Sequence, residues 1–405
     1  MSFQQGLSGL NAAAKSLDTL GNNIANSGTV GFKSASTQFA DVFAATLGGG
    51  IQVGIGTSVS GVSQQFSQGN LTVTSNPLDL AINGQGMFRL SNNGATTFTR
   101  NGQFNIDKDG YVVNTSGYRL TGYLANTANV IVPSTPAEIF INTADLQPQP
   151  TGNTSAGARI GLNLDSRQPV NALAFDVNDP TTYNSSTSIT VFDSLGNSHL
   201  MSLFFKKDSA NAWSLYSNLN GGAPSAATAM TFNSTGALTA PATGIIAQSH
   251  AVTTGATTPL AFNLNLTGST QYGNIFGVNS VAQDGYTSGR LSGLSIASDG
   301  TVQGRYSNGQ SRDLAQVVLA NFNNPNGLTS LGNNQWGETP ESGQPLVGVP
   351  GSGSLGALQS AAVEESNVDL TAELVAMITQ QRAYQANAQT IKTQDQVLQT
   401  LVNLR

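Results

Sequence analysis

Three side chains that could form a hydrolytic triad lie within seven residues of one another. Asp193, Ser194 and His199 occur in the segment VFDSLGNSH, and an aspartate, a histidine and a serine can together activate a hydroxyl nucleophile. That chemistry also needs a rigid nucleophile elbow and an oxyanion hole, but this segment has no GxSxG motif and no parallel-sheet pattern. Because Asp-Ser-Leu-Gly-Asn is typical of a turn between two strands, we predict no catalytic residue here.

An acidic segment has the spacing of the start of a calcium-binding loop. The segment from Asn105 to Gly110 matches the opening of an EF-hand, but the twelfth position, which should be a bidentate glutamate, is Ser116. The chain has no cysteine, and its only histidines are His199 and His250. This composition leaves few ligands for a transition metal. We predict a hairpin turn at Gly110 and no metal site.

A glycine-rich segment matches a nucleotide-binding motif. The residues from Gly351 to Gly356 fit GxGxxG and precede a possible helix. A dinucleotide site, however, requires a parallel βαβ unit around this motif. Pro350 immediately precedes the first glycine, and the neighbouring pattern indicates antiparallel strands. We therefore predict a flexible connector and no cofactor.

The composition restricts the class of protein. Of 405 residues, 16 are Lys or Arg and 22 are Asp or Glu, so only 9% are charged, whereas about 25% is usual for a soluble domain. The net charge of −6 argues against a nucleic-acid partner, which needs clustered basic residues. No apolar run approaches the ~20 residues of a membrane span. The first residues also lack the basic and apolar segments of a cleaved secretory signal.

The two ends of the chain predict helices that pack with partners. Apolar and small residues recur there with the 4,3 spacing of a heptad seam. At the first end they are Phe3, Leu7, Leu10, Ala14, Leu17, Gly21 and Ile24, and at the last end Leu370, Leu374, Met377, Tyr384, Ala388, Ile391, Leu398 and Val402. Asn26 to Gly28 would end the first helix, and Asn367 or Asp369 would cap the second.

Neither seam can be buried by the helix that carries it, so each helix requires a partner. A pair within one chain is one alternative. Residues 1–32 contain only two charged side chains, Lys15 and Asp18, so these helices have no charged outer face. Several of their faces could therefore be packed in a multi-subunit array. This pattern favours polymerisation.

Between the ends the pattern changes to that of strands. Asn101-Gly102, Asp109-Gly110, Asp299-Gly300 and Asn308-Gly309 are flanked by alternating apolar residues, which predicts hairpins. The fold class is therefore mixed and mainly β, with paired helices from both termini forming a coiled-coil-like assembly region. The predicted domains are the terminal helices (1–32 and 360–405), a Gly-rich connector of uncertain structure (33–70), a discontinuous β domain (71–145 and 285–359) and an inserted outer β domain (146–284).

Four segments resemble the bacterial flagellar rod and hook proteins. GNNIANSGTVGFK (21–33) is similar to the amino-terminal signature of that family, and PLDLAINGQGMFRL (77–90) and the segment 99–123 to its next two blocks. Residues 366–405 match the carboxyl-terminal block. The resemblance is greatest to the hook proteins, because rod proteins have little counterpart to residues 146–284. A distal rod-type axial protein is the alternative.

This resemblance implies a structural role and several partners. The chain would be a subunit of a flexible tubular homopolymer, the hook, which transmits torque from rod to filament at the cell exterior. It would be exported by the flagellar type III apparatus without a cleaved signal peptide. Besides copies of itself, it would meet the distal rod protein, the hook cap and the hook–filament junction protein. It would not be an enzyme.

The predicted polymerisation interface combines both seams with asparagines of the amino-terminal signature. It consists of Phe3, Leu7, Leu10, Leu17, Asn22, Asn23, Ile24, Asn26, Leu370, Leu374, Met377, Tyr384, Ile391, Leu398 and Val402. A remote alternative is a β-rich surface adhesin or glycan-active protein. Trp213 and Trp336 would form its carbohydrate platform.

Overall fold

A long helix stands at each end of the chain in the computed structural model, which describes residues 2–42, 54–126, 128–154 and 157–403. These are α1 (Ser2–Ala25) and α2 (Leu370–Asn403). Asp369 caps α2, since its Oδ1 accepts hydrogen bonds from the amides of Thr371 and Ala372 at 2.9 and 3.2 Å. Such a cap satisfies amide groups that have no partner within the helix.

The described residues form two compact units. The first is made from Met1–Thr143, Gly293–Arg305 and Ser311–Arg405, and the second from Ala144–Ser292 and Tyr306–Gln310. Strands dominate both, so the predicted fold class, mainly β with a helix at each end, is confirmed. The exact boundaries of the four predicted domains stay a prediction.

Among the described residues, the first part of the first unit contains ten strands. They are β1 (Ala35–Val42), β2 (Gly56–Gln64), β3 (Leu71–Val73), β4 (Leu80–Asn83), β5 (Met87–Asn92), β6 (Ala95–Thr99), β7 (Phe104–Ile106), β8 (Val112–Asn114), β9 (Arg119–Leu124) and β10 (Ala137–Glu138). Strands β1 and β2 pair antiparallel. Of the residues between them, 43–53 lie outside the described part.

The second unit is built from strands β11 to β20. They are β11 (Ala158–Asp165), β12 (Ser185–Phe192), β13 (Ser198–Ser209), β14 (Ala212–Leu219), β15 (Thr228–Phe232), β16 (Leu238–Ala240), β17 (Ile245–His250), β18 (Leu260–Asn265), β19 (Thr270–Tyr272) and β20 (Gly277–Gln283). Strands β12 to β16 form an antiparallel meander, while β17, β18, β11 and β19 form a second sheet with β20 paired to β11. Both sheets contribute to one buried cluster, which includes Leu162, Phe205 and Trp213.

The chain then completes the first unit. Its remaining strands are β21 (Leu291–Ile296), β22 (Thr301–Tyr306), β23 (Ser311–Val317), β24 (Leu319–Asn321), β25 (Thr329–Gly332), β26 (Gln335–Gly337), β27 (Leu346–Gly348), β28 (Ala357–Ser360) and β29 (Ala362–Glu364). The main sheet has the order β21-β22-β23-β9-β5-β6-β26-β25. Strand β28 pairs with β4 and β29 with β3, so early and late parts of the chain share one fold.

The ends of both helices agree with the sequence signals, whereas one predicted turn was wrong. Helix α2 begins at Leu370, directly after the predicted cap Asp369, and strands β28 and β29 before it pair with β4 and β3. Helix α1 ends at Ala25, directly before the predicted stop at Asn26 to Gly28. Asn101-Gly102 is not a hairpin turn. Strands β6 and β7 do not pair, and the Gly102 carbonyl instead accepts from the amide of Leu80.

Candidate assembly interface of the terminal helices

Helices α1 and α2 pack closely where α1 has glycines. A Cβ atom at Gly9 would lie 2.8 Å from Nδ2 of Asn387, and one at Gly6 would lie 3.1 Å from Cγ1 of Ile391. The absence of these methyl groups lets the helices approach, as small residues do wherever two helices meet at short distance. The predicted pairing of the terminal helices is therefore present within one chain.

The close contacts between the helices involve the predicted seam of α2 but lie beside that of α1. Ile391, which Gly6 contacts, is a predicted seam residue of α2. Gly6 and Gly9 fall one position before the seam residues Leu7 and Leu10 of α1. The side chains of Phe3 and Leu7 are exposed.

Much of the predicted interface remains accessible to another molecule. The exposed members are Phe3, Leu7, Asn22, Leu370, Leu374, Tyr384 and Leu398. The half-buried members are Leu10, Leu17, Ile24, Asn26, Met377 and Ile391. Val402 carries a side chain outside the described part. Exposed apolar side chains on this scale are typical of an interaction surface.

Two further exposed residues extend the apolar surface of α2. Val375 and Ile378, which the seam analysis missed, are exposed beside Leu374. Their signal in the sequence was the high apolar content of the first turns of α2. Together the three side chains make a patch, named here the α2 patch, that no described residue of the chain covers.

The β1–β2 hairpin packs against α1. Oγ1 of Thr19 lies 2.8 Å from Oγ1 of Thr37, and Nε2 of Gln5 donates to the Gly54 carbonyl at 2.6 Å. Within the connector expected between 33 and 70, the described strands β1 and β2 therefore pair with each other and contact α1. The exposed apolar side chains of this hairpin are Phe39, Val42, Val59 and Val62.

The three predicted asparagines have different roles. Asn23 is buried, donates from Nδ2 to the Ala35 carbonyl at 2.8 Å and accepts from the Ala35 amide at Oδ1 at 2.9 Å. It therefore attaches the start of the hairpin to α1. Because of its bonds to Ala35, Asn23 is unavailable to a second copy unless those bonds break. Asn26 instead bonds to Asn22 at the end of the helix.

The candidate triad in the second unit is a structural turn. Nε2 of His199 lies 3.0 Å from Oδ2 of Asp193, and Nδ2 of Asn220 lies 2.8 Å from Nδ1 of His199. Both histidine nitrogens therefore have partners. Oγ of Ser194 accepts from the Thr257 amide and has no bond to the histidine. The arrangement fixes a turn and does not activate a hydroxyl.

The remaining sequence motifs are also structural. Oδ1 of Asp107 accepts from the amides of Asp109 and Tyr111, which closes the predicted hairpin turn. The segment from Gly351 to Gly356 is followed by strand β28 and not by a helix. Among the described residues, no group of three His, Cys, Asp or Glu side chains could hold a metal ion.

Both tryptophans are buried and cannot form a carbohydrate platform. Trp213 donates from Nε1 to Gln271 at 2.9 Å, and Trp336 donates to Gln64 at 2.7 Å. Their side chains are 1% and 3% exposed. This removes the aromatic platform on which the adhesin alternative partly rested. Within the described residues, no helix has the length and apolar content needed to cross a membrane.

Family comparisons match the chain along most of its length. "Flagella basal body rod protein" matches residues 3–33, and "Flagellar hook protein FlgE/F/G D1 domain" matches residues 81–152. "Flagellar basal body protein FlaE D2 domain" matches 163–286, and "Flagellar basal body rod FlgEFG protein C-terminal" matches 359–404. The flagellar hook protein FlgE of Salmonella typhimurium is 45% identical over 415 residues, which cover all of both chains. The chain belongs to the flagellar hook protein family.

Other members of the hook protein family agree with this assignment. The flagellar hook protein FlgE of Escherichia coli strain K12 is 44% identical over 418 residues, again with both chains fully covered. The crystal structure of flagellar hook protein FlgE2 from Helicobacter pylori has a TM-score of 0.51 at 15% identity, covering 71% of this chain and 99% of that one. At that identity the likeness concerns the fold alone. The family places the chain in the flagellum.

Proposed function

We propose that this chain is the structural subunit of the flagellar hook, a flexible tubular homopolymer that transmits torque from rod to filament. The observation that carries the proposal is the sequence identity of 45% and 44% to two hook proteins, which extends over the full length of the chain. The exposed apolar side chains of α1 and α2 support it, because a chain that functions alone has no use for such a surface.

Assembly would proceed by a repeated contact between unlike surfaces. An interface of this kind whose rotation does not close generates an open helical polymer. The helix pair, with the α2 patch, would pack against the same region of neighbouring copies and form the inner tube. The β units would stack outside it. Because few charged residues fix their register, neighbouring β units could slide as the tube bends.

The proposal includes partners and a location. The partners are copies of the chain, the distal rod protein, the hook cap, the hook–filament junction protein and the type III export apparatus. The chain would lie in the hook at the cell exterior, exported without a cleaved signal peptide. Torque would pass through packing, so no residue of the chain needs a catalytic role.

The α2 patch offers a direct test. Leu374 is 49% exposed, so Leu374→Glu should leave the fold of the single chain intact. In the tube the carboxylate would lose its hydration, a cost that each added subunit repeats. We expect negative-stain electron microscopy to show tubes from the unaltered chain and none, or few, from Leu374→Glu. The melting temperature of the unassembled chain should be unchanged.

Gln385→Glu is the matched control. Gln385 is an exposed α2 residue outside the α2 patch, and the change adds the same charge. It should assemble better than Leu374→Glu. Failure of the unaltered chain to form tubes would contradict the proposed function itself. Normal tubes from Leu374→Glu would show that the α2 patch is not the contact surface.

A further inference from the structure

A buried carboxylate binds two cations where the helices join the β part of the first unit. Oε1 of Glu364 accepts from Nζ of Lys33 at 2.6 Å and from the Gly69 amide at 2.9 Å. Its Oε2 accepts from NH1 of Arg100 at 3.0 Å. The side chains of Lys33 and Glu364 are fully buried, and that of Arg100 is 5% exposed. These three residues are named here the ionic joint.

The ionic joint lies on both connections between helix and sheet. Lys33 follows shortly after α1 ends at Ala25, and Glu364 precedes α2, which begins at Leu370. Arg100 follows β6 and donates from NH2 to the Gly84 carbonyl, next to β4, at 2.8 Å. One carboxylate therefore joins the chain leaving α1, the chain entering α2 and the sheet.

The cations have further partners that fix their positions. Nζ of Lys33 also donates to the carbonyl of Ser67 at 2.6 Å. The carbonyl of Glu364 accepts from the Gly31 amide at 2.8 Å. The segments around residues 31–33 and 67–69 are thus held to the same strand, β29. Both connections are therefore bonded to one strand.

The charge balance of the ionic joint makes Glu364 its essential member. Two cations face one anion, so removal of the carboxylate would leave two like charges in a buried space. Burial lowers the pKa of Lys33, against the attraction of Glu364. A buried ion pair adds little net stability compared with well-packed apolar residues, but it can select one geometry. A connection that transmits torque requires one fixed geometry of the joined parts.

A second polar bridge follows the ionic joint along the chain. Oδ1 of Asn367 accepts from the Ser34 amide at 2.7 Å, and its Nδ2 donates to the Gln65 carbonyl at 2.8 Å. The two connections are therefore bonded to each other again before α2 begins. The contacts between the two connections thus continue from Glu364 to Asn367.

We propose that Lys33, Arg100 and Glu364 form the joint that holds the helix pair rigidly on the β part of the first unit. The joint would pass torque between the inner helices and the outer β structure of each subunit. This inference rests on the proposed function. If the joint is disrupted, the helices still pair and the sheets still fold, but the two parts become uncoupled.

The test compares Glu364→Gln with Glu365→Gln in the full-length chain. Glu365 is the neighbouring exposed residue, so its substitution is an isosteric control. Hydrogen exchange of the Gly69 amide reports directly on Oε1 of Glu364. We expect it to accelerate about tenfold or more in Glu364→Gln, because its bond opens locally. The amides of β5 and β6 should exchange as before, and Glu365→Gln should match the unaltered chain.

The effect on torque transmission can be tested in cells whose own hook gene is replaced by the gene of each variant. Glu364→Gln should give hooks that form but support slower swimming, and Glu365→Gln should swim normally. Unchanged Gly69 exchange together with normal swimming would overturn the inference. Loss of protection throughout β5 and β6 would also overturn it, since the cluster would then be needed for the fold.

Lys33→Met keeps the inference testable if Glu364→Gln is too unstable to isolate. This variant retains the Arg100–Glu364 pair, so we expect a smaller acceleration at Gly69 with swimming still reduced. Unchanged swimming in Lys33→Met would count against the joint. In all of these comparisons the unaltered chain must form hooks. Its failure to do so would contradict the proposed function and not the ionic joint.

Discussion

Asn23 and Glu373, which are 350 positions apart in the sequence, are joined by a hydrogen bond of 3.0 Å from Nδ2 to Oε1. Asn23 lies near the end of α1, and Glu373 lies in the first turn of α2. Since Asn23 also bonds to the backbone of Ala35, one side chain connects both helices and the β1–β2 hairpin.

Asn23→Ala should destabilise this connection by about 1–3 kcal/mol, because it leaves buried polar groups without partners. Denaturant unfolding followed by circular dichroism at 222 nm would measure the loss. Asn22→Ala is the control, since Asn22 is exposed and bonds only locally to Asn26. Equal effects of the two substitutions would contradict the role given to Asn23.

Gly9→Leu should separate α1 from α2, because its side chain would enter the space of the Asn387 amide. Overpacking of this kind costs about 1–3 kcal/mol. At Gly21 a Cβ atom meets nothing within 4 Å, so Gly21→Leu should instead stabilise the helix by up to about 1 kcal/mol. Thermal melting of the helical signal would measure both. The contact assigned to Gly9 is wrong if the two variants shift the melt in the same direction.

The second unit should lose stability in acid as Asp193 is protonated. Burial opposes its ionisation, but hydrogen bonds from Thr254, His199 and Asn197 outweigh burial and hold the pKa of this carboxyl well below its usual value of 3.8. A carboxyl whose pKa is lower in the folded state stabilises the fold above its unfolded pKa. That stabilisation is lost as the pH falls below about 4 through the folded pKa.

Asp193→Asn should therefore reduce the pH dependence of unfolding below about pH 4. At neutral pH it should cost about 1–3 kcal/mol, because Asp193 is fully buried and an amide in its place has one acceptor oxygen instead of two. Fluorescence of the buried Trp213 would follow the second unit, after Trp336→Phe has removed the other tryptophan. Asp145→Asn, at a site 58% exposed, should retain the pH profile of the parent. An unaltered acid slope in Asp193→Asn would refute the assignment.

Residues 147–288 should be dispensable for tube formation. Leu146 and Gly289 exchange two backbone hydrogen bonds of 2.7 and 3.2 Å, so the chain enters and leaves this region side by side. Domain insertions are usually joined in this way. An Asn-Gly turn could connect the two residues directly. Electron microscopy of the variant that lacks residues 147–288 should show tubes with altered bending. Folded but unassembled subunits would mean that the second unit is essential to the lattice.

The sequence predicted those elements whose signals are local. The turns at Asp109-Gly110 and Asn308-Gly309 connect paired strands, because the residues that form such turns are adjacent in the chain. Asn101-Gly102 carries the same signal but connects β6 to β7, whose pairing partners lie elsewhere. Tertiary pairing there overrides the turn preference.

The exposed apolar surface of the terminal helices could be predicted only in part. Apolar spacing identified Leu370 and Leu374, both of which are exposed on α2. It did not identify the contacts of Gly6 and Gly9 with α2, since these glycines lie one position away from the seam of α1. It also could not predict that Glu364 meets Lys33, because no local pattern relates residues 331 positions apart.

The burial of the ionic joint makes its strength depend less on dissolved salt than that of an exposed ion pair. Dissolved salt weakens attraction between exposed charges but screens buried pairs much less. The exposed ion pairs, such as Arg290 with Asp145, should therefore weaken between fresh water and brine, whereas the attraction among Lys33, Arg100 and Glu364 should change much less. In a cell that swims between such habitats, the link between the helices and the sheet of each subunit should vary little in strength.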